Sequence, residues 1–275
     1  MKKNILITGG TSGIGFNAAK TLVKNPENNL ILIGKNINKG ELALRKLREI
    51  SNNKNISFLK CDLSSLGEIK NFFKVKKFSK LDILVNNAGA VFFKKSYSKE
   101  KIEKTFALNH LSYMQLSLGL LNKLESSTDP RIVNVSSNAH KRYKIDINDL
   151  ENKLNYSGWK AYCRSKLLNI FFTYSFKKEL NTKINSNCLH PGFVNSNFGN
   201  NNKNFYRFLV NILKHLLAIN VNKASLSPLY LSLDKDLYGV NGKYFHKLKN
   251  INSSKESYDK DLAKKVWIKS LEYIK

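Results

Sequence analysis

The sequence predicts an α/β fold, a single domain over residues 1–275 built as a doubly wound parallel sheet flanked by helices. Three observations carry that expectation. Short apolar runs of strand length alternate with helical patterns near 13–24, 39–50, 65–78 and 106–124. A glycine-rich turn joins the first run to the first helical pattern. Several runs end in small or polar residues, as strands do where ligands bind along the carboxyl edge of a sheet.

Asn4-Ile5-Leu6-Ile7-Thr8 reads as a buried parallel strand. It enters Gly9-Gly10-Thr11-Ser12-Gly13-Ile14-Gly15, and a helical pattern follows through Ala18, Ala19, Leu22 and Val23. Strand, glycine turn and helix place a pyrophosphate on a helix N-terminus, with Gly9, Gly13 and Gly15 allowing the backbone to approach it. The second strand, Leu30–Ile33, ends at Gly34-Lys35-Asn36. About 20 residues past the loop, an acid would bind the adenosine ribose and select NAD. Here Lys35 stands at that place, a cation suited to a 2′-phosphate, and the expected cofactor is NADP(H), with NAD(H) as the alternative. The third strand, Ile56–Cys61, runs into Asp62-Leu63, where the acid either accepts from an adenine amino group or caps the helix beginning near Leu66. The fourth, Asp82–Val85, ends in Asn86-Asn87-Ala88-Gly89.

The fifth strand, Arg131–Val135, ends at Ser136-Ser137. A hydroxyl there can donate to a carbonyl oxygen as it gains charge, and strand alternation lets only one of the two face a site. Tyr162 and Lys166 are four apart, so a helix projects both from one face. The ammonium can then lower the phenol pKa from its usual value of about 10. The sixth strand, Ile184–Leu189, leads to His190-Pro191-Gly192-Phe193-Val194-Asn195-Ser196.

Together, Thr8 through Gly15, Asp62, Asn86 through Gly89 and Tyr162 through Lys166 resemble the motifs of the short-chain dehydrogenase/reductase (SDR) family, whose fold is of the Rossmann type. The segment Arg131 to His140, Tyr162-Cys163-Arg164-Ser165-Lys166 and Gly242-Lys243-Tyr244-Phe245 are similar to its retinol-dehydrogenase-like branch. The resemblance implies a catalytic tetrad of Asn109, Ser137, Tyr162 and Lys166. In it Asn109 anchors a water in a proton relay, and the serine is the second of the pair. The resemblance also implies that the Pro191-Gly192 turn meets the nicotinamide, with backbone near Val194 and the hydroxyl of Ser196. Cofactor contacts are thus expected from Gly9, Thr11, Ser12, Gly13, Ile14, Gly15, Lys35, Asp62, Leu63, Asn87, Ala88, Gly89, Tyr162, Lys166, Pro191, Gly192, Val194 and Ser196. His140 reads as structural or substrate-lining. Phe205 to Ile219 reads as part of a substrate lid and C-terminal elements over about 200–255, with peripheral membrane docking as the competing reading.

Composition excludes other classes. The net charge of +27 suggests nucleic acid or an anionic surface, but only six of the 47 basic residues are arginine and the lysines are spread through every segment. A solvated basic surface accounts for that pattern, and no nucleic-acid partner is expected. Cys61, Cys163 and Cys188 lack a metal-ligand spacing, and no metal is expected. No apolar run reaches the roughly 18 residues of a membrane span. The expectation is a cytoplasmic NADP(H)-dependent oxidoreductase interconverting a carbonyl and an alcohol on a lipophilic small molecule such as a retinoid, aldehyde or ketone. It would act as a homodimer or homotetramer. A catalytically silent dinucleotide-binding regulator and an NAD-dependent dehydrogenase are the alternatives.

Overall fold

The computed structural model describes residues 2–75, 78–192 and 221–275. Along the chain run β1 (Asn4–Thr8), α1 (Gly13–Leu22), β2 (Asn29–Gly34), α2 (Ile37–Glu49), β3 (Ile56–Lys60), α3 (Leu66–Val75) and β4 (Ile83–Asn86). Next come α4 (Lys104–Phe106), a π-helical turn (Ala107–Leu111), α5 (Ser112–Gly119), α6 (Leu121–Glu125) and β5 (Arg131–Val135). The second half holds α7 (Gly158–Leu180), β6 (Asn185–His190), α8 (Val221–Leu233), β7 (Tyr244–His246), β8 (Lys249–Ile251) and α9 (Lys260–Ile274).

The described strands form one sheet in the order β3-β2-β1-β4-β5-β6-β7-β8. Every neighbouring pair is parallel except the last, β7–β8, which is antiparallel. The order reverses between β1 and β4, and that switch point opens a crevice at the carboxyl edge. The central strands are apolar on both faces because helices cover both. Ile5, Ile7, Leu30 and Leu32 pack against Ala18 and Leu22 of α1 and Leu229 of α8. Leu6, Ile31 and Ile33 point the other way, in the cluster that holds Ile69 of α3, Met114 of α5 and Phe172 of α7.

Two expectations need correction. The helix expected near 106–124 is broken: Ser112 N–H bonds Ala107 O five residues back, and the chain bends again at Leu120. The helix carrying Tyr162 begins at Gly158, where the Ser157 hydroxyl accepts from Lys160 N–H and caps it. Asp62 does not cap α3. Its Oδ1 accepts from Ser64 N–H (2.9 Å) and Ser64 Oγ–H (2.7 Å), while Ser65 Oγ accepts from Glu68 N–H at the helix start. The stretch Phe205–Ile219, Val194 and Ser196 lie outside the described residues. The C-terminal elements begin at Val221, where α8 packs along α1, and β7 and β8 extend the sheet.

Candidate active site

The glycine turn is built by its neighbours. Thr8, fully buried, donates through Oγ1 to Val85 O (3.2 Å) and accepts from Asn87 N–H (2.8 Å) and Ala88 N–H (3.0 Å). One hydroxyl thus ties the end of β1 to the end of β4. The Asn87 amide donates to Thr8 O (2.8 Å) and Gly9 O (3.4 Å), so this side chain positions the loop. Gly9 takes φ +64, and a Cβ on Gly15 would stand 2.6 Å from Asn87 Nδ2 and 2.7 Å from Gly9 O. The loop therefore closes on itself only with glycine at these places. At the start of α1 the Ser12 side chain makes no capping bond and no acid stands in the first turn, leaving the N-terminal backbone N–H groups to face an anion. Thr11 lies against Gly34, whose added Cβ would meet Thr11 Cγ2 at 3.3 Å, and this contact brings exposed Lys35 beside the loop. Burial alone would raise the Asp62 carboxyl, but the bonds from Ser64 and the charges of Lys35 and Lys104 outweigh it and hold the pKa below its usual value. Leu63 packs its side chain into the core and has only backbone to offer a ligand.

The second cluster lies across the switch point. Ser136 turns inward and donates to Lys166 O (2.7 Å), so Ser137 is the serine that faces the site. The Ser137 hydroxyl caps the following turn by accepting from Ala139 N–H (3.2 Å) and hydrogen-bonds the Tyr162 side chain. Lys166 donates to Val135 O (3.0 Å), with Nζ 5.6 Å from the Tyr162 ring centroid and 5.8 Å from that of buried Tyr113. Asn109, inside the π-helical turn, clamps the strand-end strap: Oδ1 accepts from Ala90 N–H and Nδ2 donates to Ala90 O, both at 2.9 Å. The same Nδ2 donates to Ser165 Oγ (3.0 Å), which itself donates to Tyr162 O (2.7 Å). Ser137 thus bonds the Tyr162 side chain, Asn109 reaches the Tyr162 backbone through Ser165, and Lys166 Nζ stands beside the Tyr162 ring on the strand end at Val135 O.

The electrostatics depart from the simple expectation. Burial pushes Tyr162 up to about 12, partly opposed by the hydrogen bond with Ser137. Burial also pushes Lys166 down, to about 7. The lysine does not draw the phenol toward neutrality here, because both groups sit in a dry site and desolvation dominates each. Tyr162 is therefore held as a proton donor at neutral pH.

The remaining residues fall into place around this pair. A Cβ on Gly89 would stand 3.3 Å from both Asn109 Oδ1 and Lys166 Nζ, so the glycine keeps open the space beside the lysine. Gly192 adopts φ +90 after Pro191 at the end of β6. His140 is structural: its Nδ1–H donates to Ser137 O (2.7 Å), and Nε2 accepts from Ser254 N–H (3.0 Å). That pairing requires a neutral ring, and burial lowers its pKa accordingly. Thr8, Ser165 and the Tyr244 ring packed edge-on to His140 also support the site, roles that the sequence motifs containing them did not assign.

A glycine-lined helix N-terminus facing a buried Ser–Tyr–Lys cluster across a switch point defines a dinucleotide-dependent oxidoreductase scaffold. The chain belongs to the short-chain dehydrogenase family, which it matches over residues 3–206. It is 32% identical to human (Homo sapiens) polyprenol dehydrogenase over 97% of this chain and 83% of that one. It is likewise 32% identical to mouse (Mus musculus) retinol dehydrogenase 13 over 98% of this chain and 82% of that one. Its structure superposes on that of a protein from Mycobacterium paratuberculosis with a TM-score of 0.77 and 25% identity, covering 99% and 93% of the two chains. The glycine cradle at the start of α1 and the space kept open beside Gly89 fit a dinucleotide.

Proposed function

We propose that the protein is an NADP(H)-dependent oxidoreductase that interconverts a carbonyl and an alcohol on a lipophilic small molecule. The observation that carries the reading is the Ser137–Tyr162–Lys166 cluster beside the glycine loop, with Tyr162 protonated at neutral pH. When bound, the nicotinamide supplies or takes the hydride. In the reducing direction Ser137 donates to the carbonyl oxygen as it becomes negative, and the Tyr162 phenol delivers its proton there. Lys166 orients the ribose and, with Asn109, returns a proton to the tyrosine. Exposed Lys35 next to the loop favours the 2′-phosphate, and the names of the relatives, which specify retinol and polyprenol, favour an apolar substrate.

The proposal extends to a cytoplasmic homodimer or homotetramer, to be checked by fractionation and sedimentation. Its central test is a panel of aldehydes, ketones and alcohols read by NADPH absorbance, with NADH alongside. NADPH should give the higher kcat/KM, and Lys35→Asp should invert the preference. Tyr162→Phe should lower kcat by at least about 100-fold, the lower range for lost acid–base catalysis, while NADPH binding persists. Retained turnover in that variant would refute the assignment.

A further inference from the structure

One large side chain at the site has no role in the tetrad. Trp159 stands one turn before Tyr162 on α7, and its ring stacks on that tyrosine with centroids 5.6 Å apart and planes at 25°. The indole is nevertheless 41% exposed. Its surroundings are built to hold it there. A Cβ on Gly158 would stand 2.2 Å from Phe92 O and 2.6 Å from Phe93 Cα, so the strap after β4 lies directly on the first turn of α7. The Tyr156 hydroxyl donates to Phe92 O (2.6 Å) and fixes the strap from the other side. Phe93 and Val91 then pack with Tyr162 and Cys163 in one apolar cluster. The Tyr162 side chain is thus bordered by an apolar wall that ends in a half-open aromatic face.

We propose that Trp159 determines specificity, its indole face stacking on a planar unsaturated group next to the reacting carbonyl or alcohol carbon. The enzyme then prefers conjugated or aryl carbonyls to saturated chains of equal size. This rests on the reading that Tyr162 performs the carbonyl chemistry. A substrate oxygen that meets the Tyr162 and Ser137 hydroxyls brings its adjacent carbons to the rim that the indole forms. Stacking there covers a face that otherwise meets water, and aromatic pairs favour it beyond area alone.

The chain has only two tryptophans, and the other, Trp267, is buried and stacked on Phe172. Fluorescence therefore gives a readout separate from turnover. In the wild-type chain, trans-cinnamamide, a planar amide with no reducible aldehyde, should quench the exposed tryptophan, and Trp159→Leu should abolish the quenching while the Trp267 emission reports an intact core. With NADPH, the ratio of kcat/KM for trans-cinnamaldehyde to that for nonanal, an aldehyde of equal carbon number, should fall about tenfold in Trp159→Leu, and Trp159→Phe should restore most of it. Absence of quenching in the wild type, or equal changes for both aldehydes, overturns the proposal. Quenching without turnover of any carbonyl would instead overturn the oxidoreductase reading and leave the aromatic wall standing.

Discussion

Tyr162 and Lys166 sit in the same dry pocket, and burial moves them in opposite directions, to about 12 and about 7. Alcohol oxidation requires the phenolate, so its kcat/KM should climb steadily from pH 7 to 10, whereas carbonyl reduction should vary little between pH 6 and 8. An oxidation profile that levels off near pH 7 would contradict the raised phenol. The lysine also bears on stability. Its folded pKa lies below the unfolded value of about 10.4. The penalty for burying its charge is therefore complete below about pH 7 and fades as the pH rises toward the unfolded value. At neutral pH that penalty is on the order of 4 kcal/mol. Lys166→Met should abolish activity yet raise Tm at pH 6–7, with the gain shrinking by pH 10, a comparison that calorimetry makes directly. The pairing of these residues was legible in the sequence because a spacing of four is local. The direction of their pKa shifts was not, because desolvation comes from Val135, Tyr113 and the helices packed around them.

At the scale of elements, hydroxyls and backbone turns hold the site. Removing the Thr8 hydroxyl leaves the half-buried Asn87 and Ala88 N–H groups without their acceptor, at a cost of up to about 1–3 kcal/mol for each orphaned group. Thr8→Val should therefore lower Tm and raise KM for the dinucleotide together, as thermal melts and initial rates would show. The strands that carry the glycine turn and the serines were legible because apolar runs end in turn-forming residues. The β7–β8 hairpin was not. Its two-residue turn is Lys247-Leu248, with φ of +48 and +63, a left-handed conformation that turns of this kind usually fill with asparagine and glycine. No local signal marked it. Leu248→Gly should relieve that strain and stabilise the protein by about 1 kcal/mol, measurable as a higher denaturation midpoint. The helix α8 was hidden for a related reason, since Pro228 lies inside it and reads locally as a breaker.

Across the whole molecule, the alternating strands and helices gave away the doubly wound sheet, while the assignment of Phe205 to Ile219 to a lid is still a proposal. The charge of +27 belongs to this scale too. It should leave only weak binding to duplex DNA, lost at modest salt. Tight binding to duplex DNA that persists at physiological salt in an electrophoretic titration would overturn that expectation. The last strand of the sheet has a different bearing on solution behaviour. β8 is three exposed residues long, runs against its neighbour and begins with Lys249. Without it, β7 would present a straight row of unpaired backbone groups to any other chain. The reversed, charged stub denies incoming strands a template, so its role is to keep crowded copies of this protein apart. Deleting residues 247–251 would then be felt first as turbidity on concentration, before any change in the chemistry at Tyr162.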